Sequence, residues 1–273
     1  MTEIALYQVD AFTDRPFSGN PAAVCPLDAW LPDATLQAIA AENNLAETAF
    51  FVPENGTGDG GYRLRWFTPT VEVALCGHAT LASAFVIARH IDPGMEKVVF
   101  QSASGPLTVT RAGEVFTLDF PSDPPAPFED ALVDGRSAVG QALGVVPQAV
   151  LKPAGEGGKI LALLSSEAEV LAVEPDMARV AALPGDGLIV TAPGDRVDFV
   201  SRYFAPHAGI PEDPVTGSAH VVLTPFWAAR LGKAKLQARQ ISRRGGDLTV
   251  EDRGERTLIS GKAAPYLEGR IRV

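Results

Sequence analysis

Cysteine is scarce in this chain of 273 residues: there are two, Cys25 and Cys76. Two thiols cannot build a disulfide framework or a cysteine-rich zinc site. Histidine is nearly as scarce, with four residues at 78, 90, 207 and 220, and none is spaced as HxxxH or HExxH. The sequence therefore carries no metal-binding motif, and no metal is expected. No GxGxxG opens a helix after a strand and no GxxxxGK[ST] occurs, so no nucleotide cofactor is implied and none is expected. GSAH at 217–220 is not the GxSxG elbow of hydrolases. Basic residues are in deficit, 23 against 33 acidic, for a formal charge of −10. A nucleic-acid binder needs a basic footprint, and Arg239 to Arg244 is the only local candidate, so nucleic acid is not an expected partner. The apolar window Val71 to Ala88 is interrupted by Glu72 and His78, which argues against a membrane span. MTEIALYQVD has no basic region before an apolar stretch, so it does not read as a secretory signal, and a cytoplasmic location is expected.

What is present is repeated. YRLRWFTP from Tyr62 and CGHATLASAFVIA from Cys76 return as VDFVSRYFAP from Val197 and TGSAHVVLTPFWA from Thr216. Arg65 and Arg202 lie 137 positions apart, as do Pro69 and Pro206, while Gly77 and Gly217 lie 140 apart. GPLTVTRAGEVFTL from Gly105 then matches GDLTVEDRGERTLI from Gly246 at a separation of 141. Three matches in one order, at close to half the chain length, indicate an internal duplication. Residues 1–120 form the first half, which the C-terminal strand could complete. Residues 128–273 form the second, and the proline-rich 121–127 reads as a linker.

Each half shows short apolar or alternating runs that predict strands. In the first they are Glu3–Val9, Thr48–Val52, Tyr62–Phe67, Leu107–Arg111 and Val115–Asp119. In the second they are Leu161–Leu164, Leu188–Thr191, Val197–Phe204, Leu248–Glu251 and Arg256–Gly261. A helix is predicted at Ala34–Glu42, with Asp33 able to cap it. His78–His90 and Ser218–Leu231 are helical and apolar nearly all round, which requires burial. Pro225 is expected to kink the second. Each half thus reads as strands around one buried central helix. Duplicated halves facing each other would set the two helices end to end across a cleft.

Both central helices start after a glycine, Gly77 or Gly217. First-turn N–H groups carry the positive end of the helix dipole, and two such ends suit a carboxylate. Near them stand Glu47, His78, Asp213, Cys76 and the Ser218 hydroxyl. Glu47 enters the apolar run TAFFV, where its pKa could rise as suits a general base. Alone, each has a bland alternative: a solvated Glu, a turn-forming Asp, a hydrogen-bonded His, an N-capping Ser, glycines that only cap.

DAFTDRPFSGNPAAV (10–24), NLAETAFF (44–51), FTPTVEVALCGHATLASA (67–84) and GIPEDPVTGSAH (209–220) resemble the PhzF family, named for phenazine biosynthesis. The resemblance implies an α+β class and a duplicated diaminopimelate-epimerase-like fold, each half a curved sheet or barrel around a central helix. It places the family's catalytic residues on Glu47, His78, Asp213 and Ser218. It suggests that substrate carboxylate is held near Gly77, His78, Gly217 and Ser218, with Gly19 and Asn20 bordering the cleft, and that the protein is a homodimer. It implies a cofactor-independent isomerase that moves a proton on a small carboxylate substrate, with Glu47 as base and acid. Two-thiol racemases of the same superfold need a cysteine at each helix start. Here the residue that matches Cys76 in the repeat is Thr216, which argues against an amino-acid epimerase and leaves Cys76 a possible site residue. A non-catalytic small-acid-binding or protein-interaction paralogue is the other reading.

Overall fold

The computed structural model describes residues 2–54, 61–133, 136–154 and 158–273, with side chains 133 and 136 excepted. Contacts divide the chain into a first unit, Met1–Phe120 with Ile259–Val273, and a second, Pro121–Leu258.

In the first unit, Glu3–Ala11 pairs antiparallel with Asn20–Pro26 on one side and Ala263–Arg272 on the other. Asn20–Pro26 runs parallel to Glu47–Pro53, which pairs antiparallel with Tyr62–Phe67. Tyr62–Phe67 runs parallel to Lys97–Ser102, and Gly105–Ala112 and Val115–Pro121 follow as antiparallel neighbours. The helix Gly77–Val86 packs on this sheet and buries every residue except Phe85. Such a helix has no polar face, so its hydroxyls must be satisfied internally. Thr80 Oγ1 donates to the Cys76 carbonyl at 2.6 Å and Ser83 Oγ to that of Ala79 at 2.7 Å. Beyond Val86 the chain widens into a π-turn, Ile87–Ile91, and does not continue as α-helix to His90. The helix Asp33–Asn43 builds a separate core from Leu36, Ile39 and Ala40 against Cys25, Phe50, Val52 and Phe67. Asp33 does not cap it: Pro32 holds the N-cap, and Asp33 pairs with Arg65 at 2.9 Å.

In the second unit, Pro125–Pro127, Ala149–Pro153 and Lys159–Leu163 pair antiparallel in turn. Lys159–Leu163 runs parallel to Gly187–Pro193, and Phe199–Ala205 pairs antiparallel beside that. Lys235–Gln240 then runs parallel to Phe199–Ala205, with Gly246–Asp252 antiparallel to it. The short helices Ala138–Leu143, Glu167–Ala172 and Met177–Ala182 supply Val139, Ala142, Val170 and Val180 to a core with Ile160, Leu188, Val190 and Phe204. The central helix, Gly217–Leu231, continues through Pro225. Proline cannot donate to the carbonyl four residues back, here Val221. The Asp123 amide takes that acceptor at 3.0 Å. Buried His220 donates from Nδ1 to the Thr216 carbonyl at 2.8 Å, and burial pushes its pKa down to about 4.

The repeat extends to individual contacts. Arg65 forks onto Glu72 through Nε and Nη2, both at 2.7 Å, and Arg202 forks onto Glu212 at 2.7 and 3.1 Å. Each guanidinium also lies over a phenylalanine two residues on, Phe67 at 5.1 Å and Phe204 at 4.9 Å. The mixed strand-and-helix architecture agrees with the expected α+β duplicated fold.

The sequence reading ran the second half over 128–273 and allowed the C-terminal strand to complete the first; Ile259–Val273 groups with the first unit, where Ala263–Arg272 pairs with Glu3–Ala11 along its whole length. The expected linker 121–127 belongs to the second unit, where Pro125–Pro127 is a strand and Asp123 completes the central helix. A strand with unpaired N–H positions on one side tolerates proline. Among the described residues, no helix is long and apolar enough to cross a membrane.

Burial makes two testable differences here. Arg202 is the more buried of the pair, 13% exposed against 25%, and its Nη1 also holds the carbonyls of Val170 and Val173. Arg202→Met should cost about 3 kcal/mol in urea unfolding and Arg65→Met about 1 kcal/mol; equal costs would contradict the unequal burial. The depressed His220 pKa gives stability that is complete above the unfolded value near 6.5 and is lost as pH falls toward 4. Wild type should therefore lose about 2 kcal/mol more than His220→Gln between pH 7.5 and pH 5. Parallel losses would show that His220 titrates normally.

Candidate active site

In the first unit, chain geometry brings distant residues together at one helix start. Helix Asp33–Asn43 ends on Asn44 in the left-handed region, φ 49°. Asn43 Nδ2 donates to Thr48 Oγ1 at 3.1 Å, tying that turn to the strand it precedes. Glu47 is the first residue of that strand, with its side chain 12% exposed. The neighbouring strand starts at Asn20, and its parallel register sets Ala22 opposite Glu47. Gly19 precedes it at φ 66°, where a Cβ would lie 2.1 Å from the Ala11 carbonyl oxygen. Only glycine fits there, so Gly19, expected to border the substrate, acts through the backbone and delivers Asn20 to a fully buried position.

Asn20 Nδ2 lies 3.1 Å from His78 Nδ1, and Cys76 Sγ lies 3.5 Å from the same atom. On the far side of the ring, Nε2 lies 3.2 Å from Glu47 Oε2. That contact is off the hydrogen-bond axis, and among the described residues Nε2 has no hydrogen-bond partner. Burial pushes the His78 pKa down to about 3, against a smaller opposing effect of the Pro21 carbonyl, so the imidazole is neutral at physiological pH. Glu47, Cys76 and His78 each offer a ligand atom, all within 4.8 Å of one another. Carboxylate, thiol and imidazole are donors that zinc accepts. The HxxxH and HExxH spacings do not find this group, because it is assembled across a sheet.

In the second unit, Asp213 ends the strand Ile210–Asp213 and is 8% exposed. Thr216 is the N-cap of Gly217–Leu231, in extended conformation as Cys76 is before Gly77–Val86. Neither makes a side-chain cap bond, so first-turn amides of both helices carry no cap from these residues. The Thr216 hydroxyl donates instead to Asp213 Oδ2 at 2.5 Å. Ser218, half-buried, occupies that first turn but is not the N-cap.

Of the expected site residues, Glu47, His78, Cys76 and Asn20 therefore meet in the first unit, around the start of the helix that Gly77 opens. Asp213 stands beside the helix start that carries Gly217 and Ser218 in the second. Sequence reasoning passed over Gln240, which binds both Asp213 and Thr216. A signal was available: Lys235–Gln240 alternates exposed and buried, and Gln240 falls in the buried phase with Leu236 and Ala238. It also passed over Lys159, whose burial lowers its pKa and whose electrostatic neighbours are Asp186, Asp123 and Asp213.

Known proteins share this chain throughout. The pattern of the PhzC-PhzF family, described as phenazine biosynthesis-like protein, matches residues 9–269. A Pseudomonas aeruginosa protein named as an uncharacterized isomerase is 52% identical over 269 residues, covering 98% of this chain and 99% of its own. The crystal structure of a PhzF family protein from Enterococcus faecalis superposes with a TM-score of 0.92 at 44% identity, covering both chains completely. A hydroxyproline epimerase from Agrobacterium vitis shares the fold alone, with a TM-score of 0.60 at 12% identity over 98% of this chain and 92% of that one. On the extent of these matches, the chain belongs to the PhzF family of phenazine biosynthesis-like proteins.

Proposed function

We propose that this protein is a cofactor-independent isomerase that moves a proton within a small carboxylate substrate, with Glu47 as both base and acid. The observation that carries the reading is the Glu47 carboxylate 3.2 Å from a buried, neutral His78. A neutral imidazole can orient a carboxylate without the full charge attraction that would hold it ionised. A nearly buried Glu47 can then take a proton from carbon and return it. In this reading the Asn20 side chain, 3.1 Å from Nδ1, holds the ring in place beside Glu47. First-turn amides at Gly77, beside Glu47 in the first unit, suit a substrate carboxylate.

The second unit favours one base over two. A racemase that inverts its substrate needs a second acid at the position of Thr216. A hydroxyl is a far weaker acid than a thiol, and this one is engaged with Asp213.

The test is incubation of small carboxylic acids with the protein in D₂O, read by mass spectrometry. Wild type should incorporate deuterium into at least one acid, and Glu47→Gln should lower that rate by about 10²–10⁴-fold. Undiminished exchange in Glu47→Gln would overturn Glu47 as the base. Binding of acids with no exchange at all would mark a non-catalytic binding protein. Prior treatment with EDTA should leave the rate unchanged; loss restored by zinc would mean that Glu47, Cys76 and His78 hold a working metal.

The pH profile gives a separate check. With its pKa near 3, His78 stays neutral as pH falls through 6.5, so it should impose no acid limb there. A limb near pH 6.5 that disappears in His78→Gln would contradict this.

A further inference from the structure

We propose that Gln240 is a positioning residue that directs the Thr216 hydroxyl onto Asp213 and so holds that carboxylate as an ionised acceptor. Gln240 is the last residue of Lys235–Gln240 and is fully buried. A buried amide left unsatisfied is costly, and this one makes three hydrogen bonds. The direction of each follows from chemistry. The Thr216 main-chain N–H can only donate, so the atom facing it at 2.8 Å is Gln240 Oε1. Nε2 must then donate, and its acceptors are the Asp213 carbonyl at 2.7 Å and Thr216 Oγ1 at 3.1 Å. A hydroxyl has one proton to give. Receiving from Nε2, Thr216 Oγ1 sends its own proton to Asp213 Oδ2 at 2.5 Å. The chain thus runs one way, from a main-chain amide to a carboxylate. Hydrogen bonds to the charged form of an acid favour that form.

Among the described residues, this arrangement has no copy in the first unit. Tyr62 pairs with Phe100 as Phe199 pairs with Ala238, so the counterpart of Gln240 is Ser102. The Ser102 hydroxyl turns back to the Gly105 carbonyl at 2.7 Å and reaches no helix start. The relay is a specialisation of one half of the duplication, at the helix start where Thr216 is the N-cap.

The interest of Asp213 rests on the isomerase reading, but the measurement does not depend on activity. Ligand-free, full-length protein is labelled with [γ-¹³C]aspartate, and the Asp213 signal is assigned by its loss in Asp213→Asn. Lys159, Asp123, Asp186 and Tyr203 are the other titratable groups electrostatically linked to this cluster, and all remain in every variant. Thr216→Val should raise the Asp213 titration midpoint by about one pH unit. Thr216→Ser, which keeps the hydroxyl, should restore it to within about 0.3 unit of wild type. Gln240→Met should raise the midpoint by at least about half the Thr216→Val shift, since the hydroxyl loses the donor that orients it. An unchanged midpoint in Thr216→Val overturns the relay, and an unchanged one in Gln240→Met overturns the part assigned to Gln240. Should Gln240→Met not fold, Gln240→Ala carries the same comparison: it removes the amide donor and adds no charge beside Asp213. Deuterium exchange lost while these titrations behave as stated would leave Gln240 in place and remove only the isomerase reading.

Discussion

A helix without a polar face must be enclosed, and that constraint governs each half of this protein. Gly77–Val86 is buried at every position but one, and Gly217–Leu231 is buried along most of its length. Enclosure requires strands to wrap the helix. It also leaves the buried polar groups on the helix dependent on nearby protein partners, because burial shields them from solvent. The chain meets this locally: Thr80, Ser83, His220 and Thr224 each turn to the carbonyl four residues back. Where Pro225 breaks the ladder, the freed Val221 carbonyl is used by Asp123, from the stretch that connects the repeats. That connection is therefore part of the second core and is not a spacer.

The same burial shapes the chemistry at the helix starts. Cys76 and Thr216 occupy cap positions without a side-chain cap bond to the first turn. Burial removes the charge from His78, and a neutral imidazole beside Glu47 is a different device from an imidazolium, which would clamp the carboxylate in its ionised form. Desolvation thus contributes both to the fold and to the uncharged state of His78 at the first helix start.

Much of this was legible in the sequence, in ways that track how local the signal is. Tyr62–Phe67 and Arg256–Gly261 alternate strongly enough to show as strands, and their observed bounds match the reading. Ala263–Arg272 does not: most of its side chains are exposed, so no apolar stripe marks it, and its place is set by pairing with a strand more than 250 positions earlier. The duplication was visible because it is written in residue identities. It reappears as the Arg65–Glu72 and Arg202–Glu212 forks, each with its phenylalanine beneath. The site residues were visible as motifs, but their partners were not. Asn20 reaches His78 only because a parallel strand register and a left-handed glycine place it there. Gln240 reaches Asp213 from a strand that follows the helix.

Symmetry of fold and asymmetry of site then have one explanation. Duplication supplies two equivalent helix starts, but a proton-transfer centre that uses one base needs only one of them to carry it. At the first, thiol, imidazole and carboxylate crowd within 4.8 Å. At the second, the equivalent thiol position is a threonine whose hydroxyl is oriented by Gln240 and engaged by Asp213. A group fixed in that way is a poor acid, since losing its proton would break the bond that orders it, yet it is well suited to holding a neighbouring carboxylate steady. Thr216 thus brings no thiol to the second helix start, and its hydroxyl bonds to the neighbouring Asp213 carboxylate.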